Sequence, residues 1–172
     1  MKISNIVVPV DPLAPGDTLG RALAVLCEKN VDIVPVADSQ GHPIGALTRE
    51  GLLSALRGGT VLTEAIAGHL SGVWARLAPD DEIVATPGAA VPALVIGEEG
   101  RLAGVVSRTA YAAGLHAVIT EFREQVSSIM NSAESGIIAI DADGVIVMAN
   151  RLAEDLLGVR SPDAIGRSIL EV

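Results

Sequence analysis

Three histidines, His42, His69 and His116, and one cysteine, Cys27, are the side chains best suited to hold a metal or attack a substrate, and none stands near another at ligand spacing. A zinc site draws on Cys and His pairs a few residues apart, so a metal centre is not expected. No Gly-x-Ser-x-Gly elbow presents a serine for acyl transfer. Gly97, Gly100 and Gly104 lack the Lys-Ser/Thr that completes a phosphate loop and read as turn glycines. Asp141 and Asp143 flank a turn, where aspartate serves the backbone, and no carboxylate pair stands out for acid–base work. Cys27 falls in a helical pattern and is expected to be a small buried hydrophobe. Together these readings argue against catalysis by this segment. What remains is a pair of arginines, Arg49 and Arg108, at matching places in a duplicated sequence. Guanidiniums so placed can take up a phosphate; they can equally be solvent-facing residues at helix starts.

The duplication sets where those residues stand. Leu13-Ala14-Pro15-Gly16-Asp17 recurs as Leu77-Ala78-Pro79-Asp80-Asp81, and the run from Val36 to Arg49 recurs from Val95 to Arg108. In the first copy a helix is expected from Thr18 to Glu28, with Leu19, Ala22, Leu23 and Leu26 on one face. A strand from Ile33 to Ala37 follows, then a turn with Asp38, Gly41 and Pro43. A strand from Ile44 to Leu47 leads into a helix through Leu52, Leu53 and Leu56. The order is β-α-β-β-α, and one copy is too small to bury both faces of its sheet, so the copies are expected to pack sheet against sheet. The second copy has room only for a stunted helix between Asp81 and Leu94, where Pro87, Gly88 and Pro92 interrupt it.

Beyond Ala110 the period changes. Leu115, Ile119, Phe122, Val126, Ile129 and Ala133 follow one another at 4, 3, 4, 3 and 4 residues, an a/d seam. A helix from Ala112 to Ala133 would run ~33 Å. The seam reads as a dimeric coiled coil, or as a helix packed on its own domain. Ile137 to Asp141 and Val145 to Ala149 then read as strands joined by an Asp143-Gly144 turn, and Asn150 as the cap of a helix through Ala153, Leu156 and Leu157 that ends at Gly158.

Composition narrows the function classes. Of 172 residues 49% are hydrophobic and 2% aromatic, so the core is aliphatic. Trp74 is expected to pack on Val73 and Leu77, with a place near the second cleft as the alternative. The net charge is −9 with no Lys/Arg cluster, which speaks against direct binding of nucleic acid. One cysteine permits no internal disulfide and fits a reducing cytoplasm. No run approaches the ~20 apolar residues of a membrane span.

The repeated blocks resemble CBS domains over about residues 3–114. The resemblance is carried by Ile33-Val34-Pro35-Val36-Ala37-Asp38, Gly41 and Gly45-Ala46-Leu47-Thr48-Arg49-Glu50-Gly51-Leu52, and by Ala93-Leu94-Val95-Ile96, Gly100 and Gly104-Val105-Val106-Ser107-Arg108. It implies an α/β (α+β) fold of tandem repeats packed as a pair, often dimerised, with clefts between the copies for adenosine-containing ligands such as AMP, ADP, ATP or S-adenosylmethionine. Ala14, Ile33, Val34, Pro35, Thr48 and Arg49 of the first copy, and Ala78, Ala93, Leu94, Ser107 and Arg108 of the second, are the ligand-facing residues it implies. The family's phosphate-facing hydroxyls are here Thr48 and Ser107; its ribose-facing aspartates are replaced by Gly51 and Ala110. A lost charge-assisted bond of ~1.5–3 kcal/mol corresponds to binding weakened ~10–100-fold per site. From Ile119 to Val172 the chain resembles the opening of a PAS domain, carried by Ser135 to Asn150 and Ala153 to Gly158. The expected layout is a first repeat at 1–57, a shortened second repeat at 58–114, a linker helix at 115–133 and an incomplete PAS segment at 134–172. The expectation is a regulatory, non-catalytic module of a bacterial signalling or transcription-regulatory protein, cytoplasmic, with no required cofactor, homodimeric through the repeat pair and the linker helix, its output domain beyond Val172.

Overall fold

Both helices of the first copy start at a threonine whose hydroxyl takes over an unpaired backbone amide. In the computed structural model, which describes residues 1–71, 74–85, 91–158 and 160–171, Thr18 Oγ1 accepts from the Arg21 amide at 3.3 Å and opens helix α1 (Leu19–Glu28). Thr48 Oγ1 accepts from the Gly51 amide at 3.0 Å and opens α2 (Arg49–Arg57). Caps of this kind satisfy one of the orphan donors of a first helical turn. α1 turns Leu19, Ala22 and Leu26 inward. Cys27 lies off that face and is exposed, not the buried hydrophobe its helical setting suggested. Between the helices β1 (Ile33–Ala37), buried at every residue, pairs antiparallel with β2 (Pro43–Thr48). Asp38 ties their turn: its Oδ1 accepts from the amides of Gln40 and His42 at 2.9 Å each. These bonds, that of His42 foremost, hold its carboxyl below the usual carboxylate range.

The second copy repeats the first in detail. β4 (Ala93–Ile96) lies between β3 (Ala75–Leu77), parallel to it, and β5 (Leu102–Val106), antiparallel to it. Val36 faces Gly45 in the first hairpin, Val95 faces Gly104 in the second, and in both the pairing slips at the next residue. Asp17 Oδ2 accepts from the Ala14 amide at 2.8 Å, and Asp81 Oδ2 from the Ala78 amide at 2.7 Å. One departure from expectation appears. The first strand of copy one shrinks to a single bridge between Leu13 and Val36, because Pro12 and Pro15 beside it have no amide to give a ladder. In copy two Ile83–Ala85 forms one 3₁₀ turn; residues 86–90, where Pro87 and Gly88 were read as helix breakers, lie outside the described residues.

The copies interlock through the segments that lead into them. Val8, ahead of copy one, exchanges both backbone hydrogen bonds with Val105 of β5, at 2.8 and 3.0 Å. Ser71, ahead of copy two, pairs in the same way with Ala46 of β2. Gly104 and Gly45 leave room for these crossings: a Cβ on Gly104 would stand 2.7 Å from the Val8 carbonyl oxygen, and one on Gly45 3.1 Å from Leu70 Cδ1. Leu94 and Val105 accordingly belong to the same buried cluster as Leu26, Val34 and Leu47. Aliphatic burial at roughly 25 cal/mol per Å² is what holds such a core.

α3 (Arg108–Asn131) begins where Ser107 Oγ accepts from the Ala110 amide at 3.1 Å. It starts four residues before Ala112 and ends two before Ala133, so Ala133 of the expected seam lies beyond the helix. The chain divides within it into two compact units, Met1–Ala117 and Val118–Val172. In the second unit β6 (Ile138–Ile140) and β7 (Ile146–Ala149) form an antiparallel hairpin. Asp141 Oδ1 braces its turn by accepting from Asp143 and Val145. α4 (Arg151–Leu157) follows Asn150 and ends at Gly158 in the left-handed conformation, φ 71°. α5 (Ser161–Ala164) follows. Buried Asn150 spends every polar atom: Oδ1 accepts from Ile137 and Ala153, and Nδ2 donates to the carbonyls of Met130 and Ser135.

Candidate functional site

Both α2 and α3 start at the rim of one cleft of about 520 Å³ in the first unit. Asp32, Ile33, Thr48, Arg49 and Glu50 line it from the first copy, and Trp74, Ala75, Val91, Pro92 and Arg108 from the second. Its charged side chains form a relay across the two copies. Arg49 Nη2 donates to the Val31 carbonyl at 3.0 Å, and its Nε lies 3.9 Å from Asp32 Oδ1. Asp32 Oδ2 accepts from the backbone amide of Arg108 at 3.0 Å, and Arg108 Nη1 reaches Glu50 Oε1 at 3.3 Å. A carboxylate of one copy therefore stands on the first amide of the helix that leaves the other, at the positive end of its dipole. The side-chain pairs are solvent-facing, so each contributes about 0–1 kcal/mol, and a ligand can open them at little cost. Arg76, outside the lining, covers the ring of the wall residue Trp74 with its guanidinium at 4.3 Å. The indole Nε1 is buried and has no hydrogen-bond partner among the described residues.

Of the residues expected to face a ligand, Ile33, Thr48, Arg49 and Arg108 meet in this cleft. Val34, Ala93 and Leu94 are fully buried in β1 and β4, Pro35 is buried beside Val34, and Ser107 is 2% exposed. Ala14 and Ala78 are exposed and do not line the cleft; they hold the two repeated turns. The hydroxyls of Thr48 and Ser107 are engaged as helix caps. Asp32, Glu50, Ala75, Val91 and Pro92 were not among the expected lining residues. Asp32 had a signal, since it stands directly before the apolar first strand where a charge is out of pattern. Trp74 forms part of the wall rather than only packing on its neighbours; Val73 lies outside the described residues.

Two further hollows frame the comparison. A shallow one of about 310 Å³ lies between the turns of the two copies, lined by Asp11, Gln40 and Arg101 among others, and contains no expected ligand residue. In the second unit an open hollow of about 680 Å³ runs past Asn131, Arg151, Glu154 and Arg160. Its Glu154 is held by Ser161, whose amide donates to Oε1 at 2.7 Å; the hydroxyl and amide of Ser161 keep that carboxyl below its ordinary range. Among the described residues no cluster of His, Cys, Asp and Glu is suited to a metal ion, and no helix is long and apolar enough to cross a membrane.

Residues 3–58 match the family model of the CBS domain, and residues 124–172 match that of the PAS fold. Over those residues the chain is similar to a CBS domain and to a PAS fold. The second copy repeats the strand order of the first, and the two together have the fold of solved CBS-domain proteins. A CBS domain-containing protein from Bacillus anthracis superposes with a TM-score of 0.56 at 17% identity, covering 68% of this chain and 94% of that one. The CBS-domain protein ATU1752 from Agrobacterium tumefaciens superposes at 0.55 with 20% identity, covering 66% and 98%. CBSX2 in complex with AMP does so at 0.55 with 16% identity, covering 69% and 98%; CBSX2 from Arabidopsis thaliana is also similar, at 0.54. At these identities the likeness is one of fold. A search by sequence found no match among curated proteins. In the CBS pair the cleft between α2, α3 and β3 is thus an inter-repeat cleft, built from both copies.

Proposed function

We propose that the chain is a ligand-sensing regulatory module that binds an adenosine-containing ligand between its CBS repeats and passes the signal along α3 to the PAS segment. The observation that carries this reading is the Asp32 carboxylate on the first amide of α3, inside a cleft whose walls come from both copies. A ligand that competes for that amide, or for Arg49 and Arg108, acts directly on the start of the helix leaving the pair. It shifts the pair only as far as its preference for one packing allows. That CBSX2, of the same fold, was crystallised with AMP supports the class of ligand. A second copy is the natural partner, since Ile119, Phe122 and Ile129 of α3 are 51%, 64% and 71% exposed. The setting that fits is a cytoplasmic bacterial signalling or transcription-regulatory protein, with regulation rather than catalysis as the task of this segment.

One alternative has its own observation. Gly51 and Ala110 replace the family's aspartates, and the hydroxyls of Thr48 and Ser107 already serve as caps; this favours a CBS pair that acts only as a structural dimerisation module. Thermal melts with AMP, ADP, ATP, S-adenosylmethionine and adenosine separate the two. A ligand at 100 times its dissociation constant adds ~2.7 kcal/mol, which raises Tm by roughly 5–10 °C for a unit of this size. A shift of that order with one ligand, reduced by Thr48→Ala, is the expected result. Flat melts across the panel at millimolar concentration overturn the sensor in favour of the structural module.

A further inference from the structure

We infer that the inter-repeat cleft admits ligands with at most one phosphate, and that Asp32 and Glu50 are the specificity-determining residues that turn polyphosphates away. The inference rests on the adenosine-ligand reading above and names the charge class of that ligand. The charged side chains lining the cleft are two guanidiniums, Arg49 and Arg108, and two carboxylates, Asp32 and Glu50, so the wall is neutral as a whole. Among the described residues no lysine or histidine lines it, and the nearby Arg76 is laid over the Trp74 ring. Arg49 is drawn back toward the Val31 carbonyl and Asp32, and Arg108 toward Glu50.

A phosphate monoester carries about two negative charges at neutral pH, which two arginines can match once their surface pairs open. Every further phosphate adds negative charge with no cation left to meet it, between walls that already hold two carboxylates. Like charges brought together in a partly enclosed site repel more strongly than in bulk water. The helix start offers no spare capacity either. Asp32 Oδ2 holds the first amide of α3, so a phosphate reaches that amide only by displacing the carboxylate, and the exchange is near neutral for one phosphate and costly for a chain of them.

Trp74 is the only tryptophan of the chain and forms part of the cleft wall, so its fluorescence reports occupancy. Adenosine, AMP, ADP and ATP are titrated, without magnesium, into the full chain and into Glu50→Gln and Asp32→Asn/Glu50→Gln variants, with calorimetry as a second reading. The natural chain is expected to bind ATP at least ~10-fold more weakly than AMP. The double variant is expected to bring the two within ~3-fold. Glu50→Gln alone, which leaves Asp32 and its bond to α3 in place, is expected to move the ratio the same way and keeps the test alive should the double variant fold poorly. ATP binding as tightly as AMP to the natural chain, or an AMP-to-ATP ratio unchanged in both variants, overturns the charge rule while leaving the ligand site standing. Absence of binding by adenosine and all three nucleotides, in every protein, overturns the adenine-nucleotide form of that reading and this rule with it.

Discussion

Asn150 shows how much a single polar side chain can commit. Its amide makes four hydrogen bonds, two in each direction, and ties the end of α3, the segment before β6 and the first turn of α4 into one buried node. Asn150→Asp keeps the size and both accepted bonds but turns the Nδ2 donor into an oxygen facing two carbonyls. An unpaired buried group of this kind costs ~1–3 kcal/mol, and more when charged. We expect the variant to raise amide hydrogen exchange at Ile137 and Ala153 strongly, with Trp74 fluorescence in the other unit unchanged. Unaltered protection would deny the node its role. The capping half of this role was legible in the sequence, because a cap acts three residues away on the Ala153 amide. The bonds to Ser135 and Met130 span 15 and 20 residues and leave no local pattern.

Among the elements, the two hairpins were the most legible. Matched glycines, matched valines and a turn residue fixed them in place, and the same irregularity follows Val36 and Val95. The sequence also marked Gly45 and Gly104 as equivalent, but as part of a repeat rather than as crossing points. The structure shows that each accommodates a segment belonging to the other copy. Gly104→Ala places a methyl group against the Val8 carbonyl and Val7 side chain, and overpacking of this kind costs ~1–3 kcal/mol. The first unit is expected to melt lower by roughly 5–10 °C in thermal denaturation; an unchanged midpoint would mean that the leading segment is not held there. The start of α3 was read four residues late because its first turn, Arg108 to Tyr111, carries no apolar stripe. What starts it is the Ser107 cap and a carboxylate from the other copy.

At the scale of the whole molecule, α3 leaves large apolar side chains without cover. Burying a phenylalanine fully is worth ~1.5–3 kcal/mol, and the Ile119, Phe122 and Ile129 side chains of two such helices together supply the apolar burial that pairs them. We expect sedimentation to show a dimer of the natural chain at tens of micromolar. Phe122→Glu should weaken it at least ~10-fold, with far-UV circular dichroism retained. A natural chain that sediments as a monomer sinks the pairing of α3. The seam itself was readable because a heptad spacing is a local property; whether it faces a second copy is decided by what the rest of the fold leaves exposed.

The division between what was written locally and what the fold added follows chain separation. Capping hydroxyls, the aspartate-braced turns, the aliphatic strands and the duplication depend on residues a few positions apart or on two copies of one pattern, so the amino-acid sequence determined them by itself. The cleft depends on Asp32 meeting the Arg108 amide across 76 residues and on Arg108 meeting Glu50 across 58. No periodicity encodes such meetings. They exist because each leading segment crosses to the other copy's second strand, Val8 to Val105 and Ser71 to Ala46, which closes one aliphatic core over both hairpins and brings the starts of α2 and α3 to a single rim. Only the tertiary structure decided that the two matching arginines would share their site with two carboxylates.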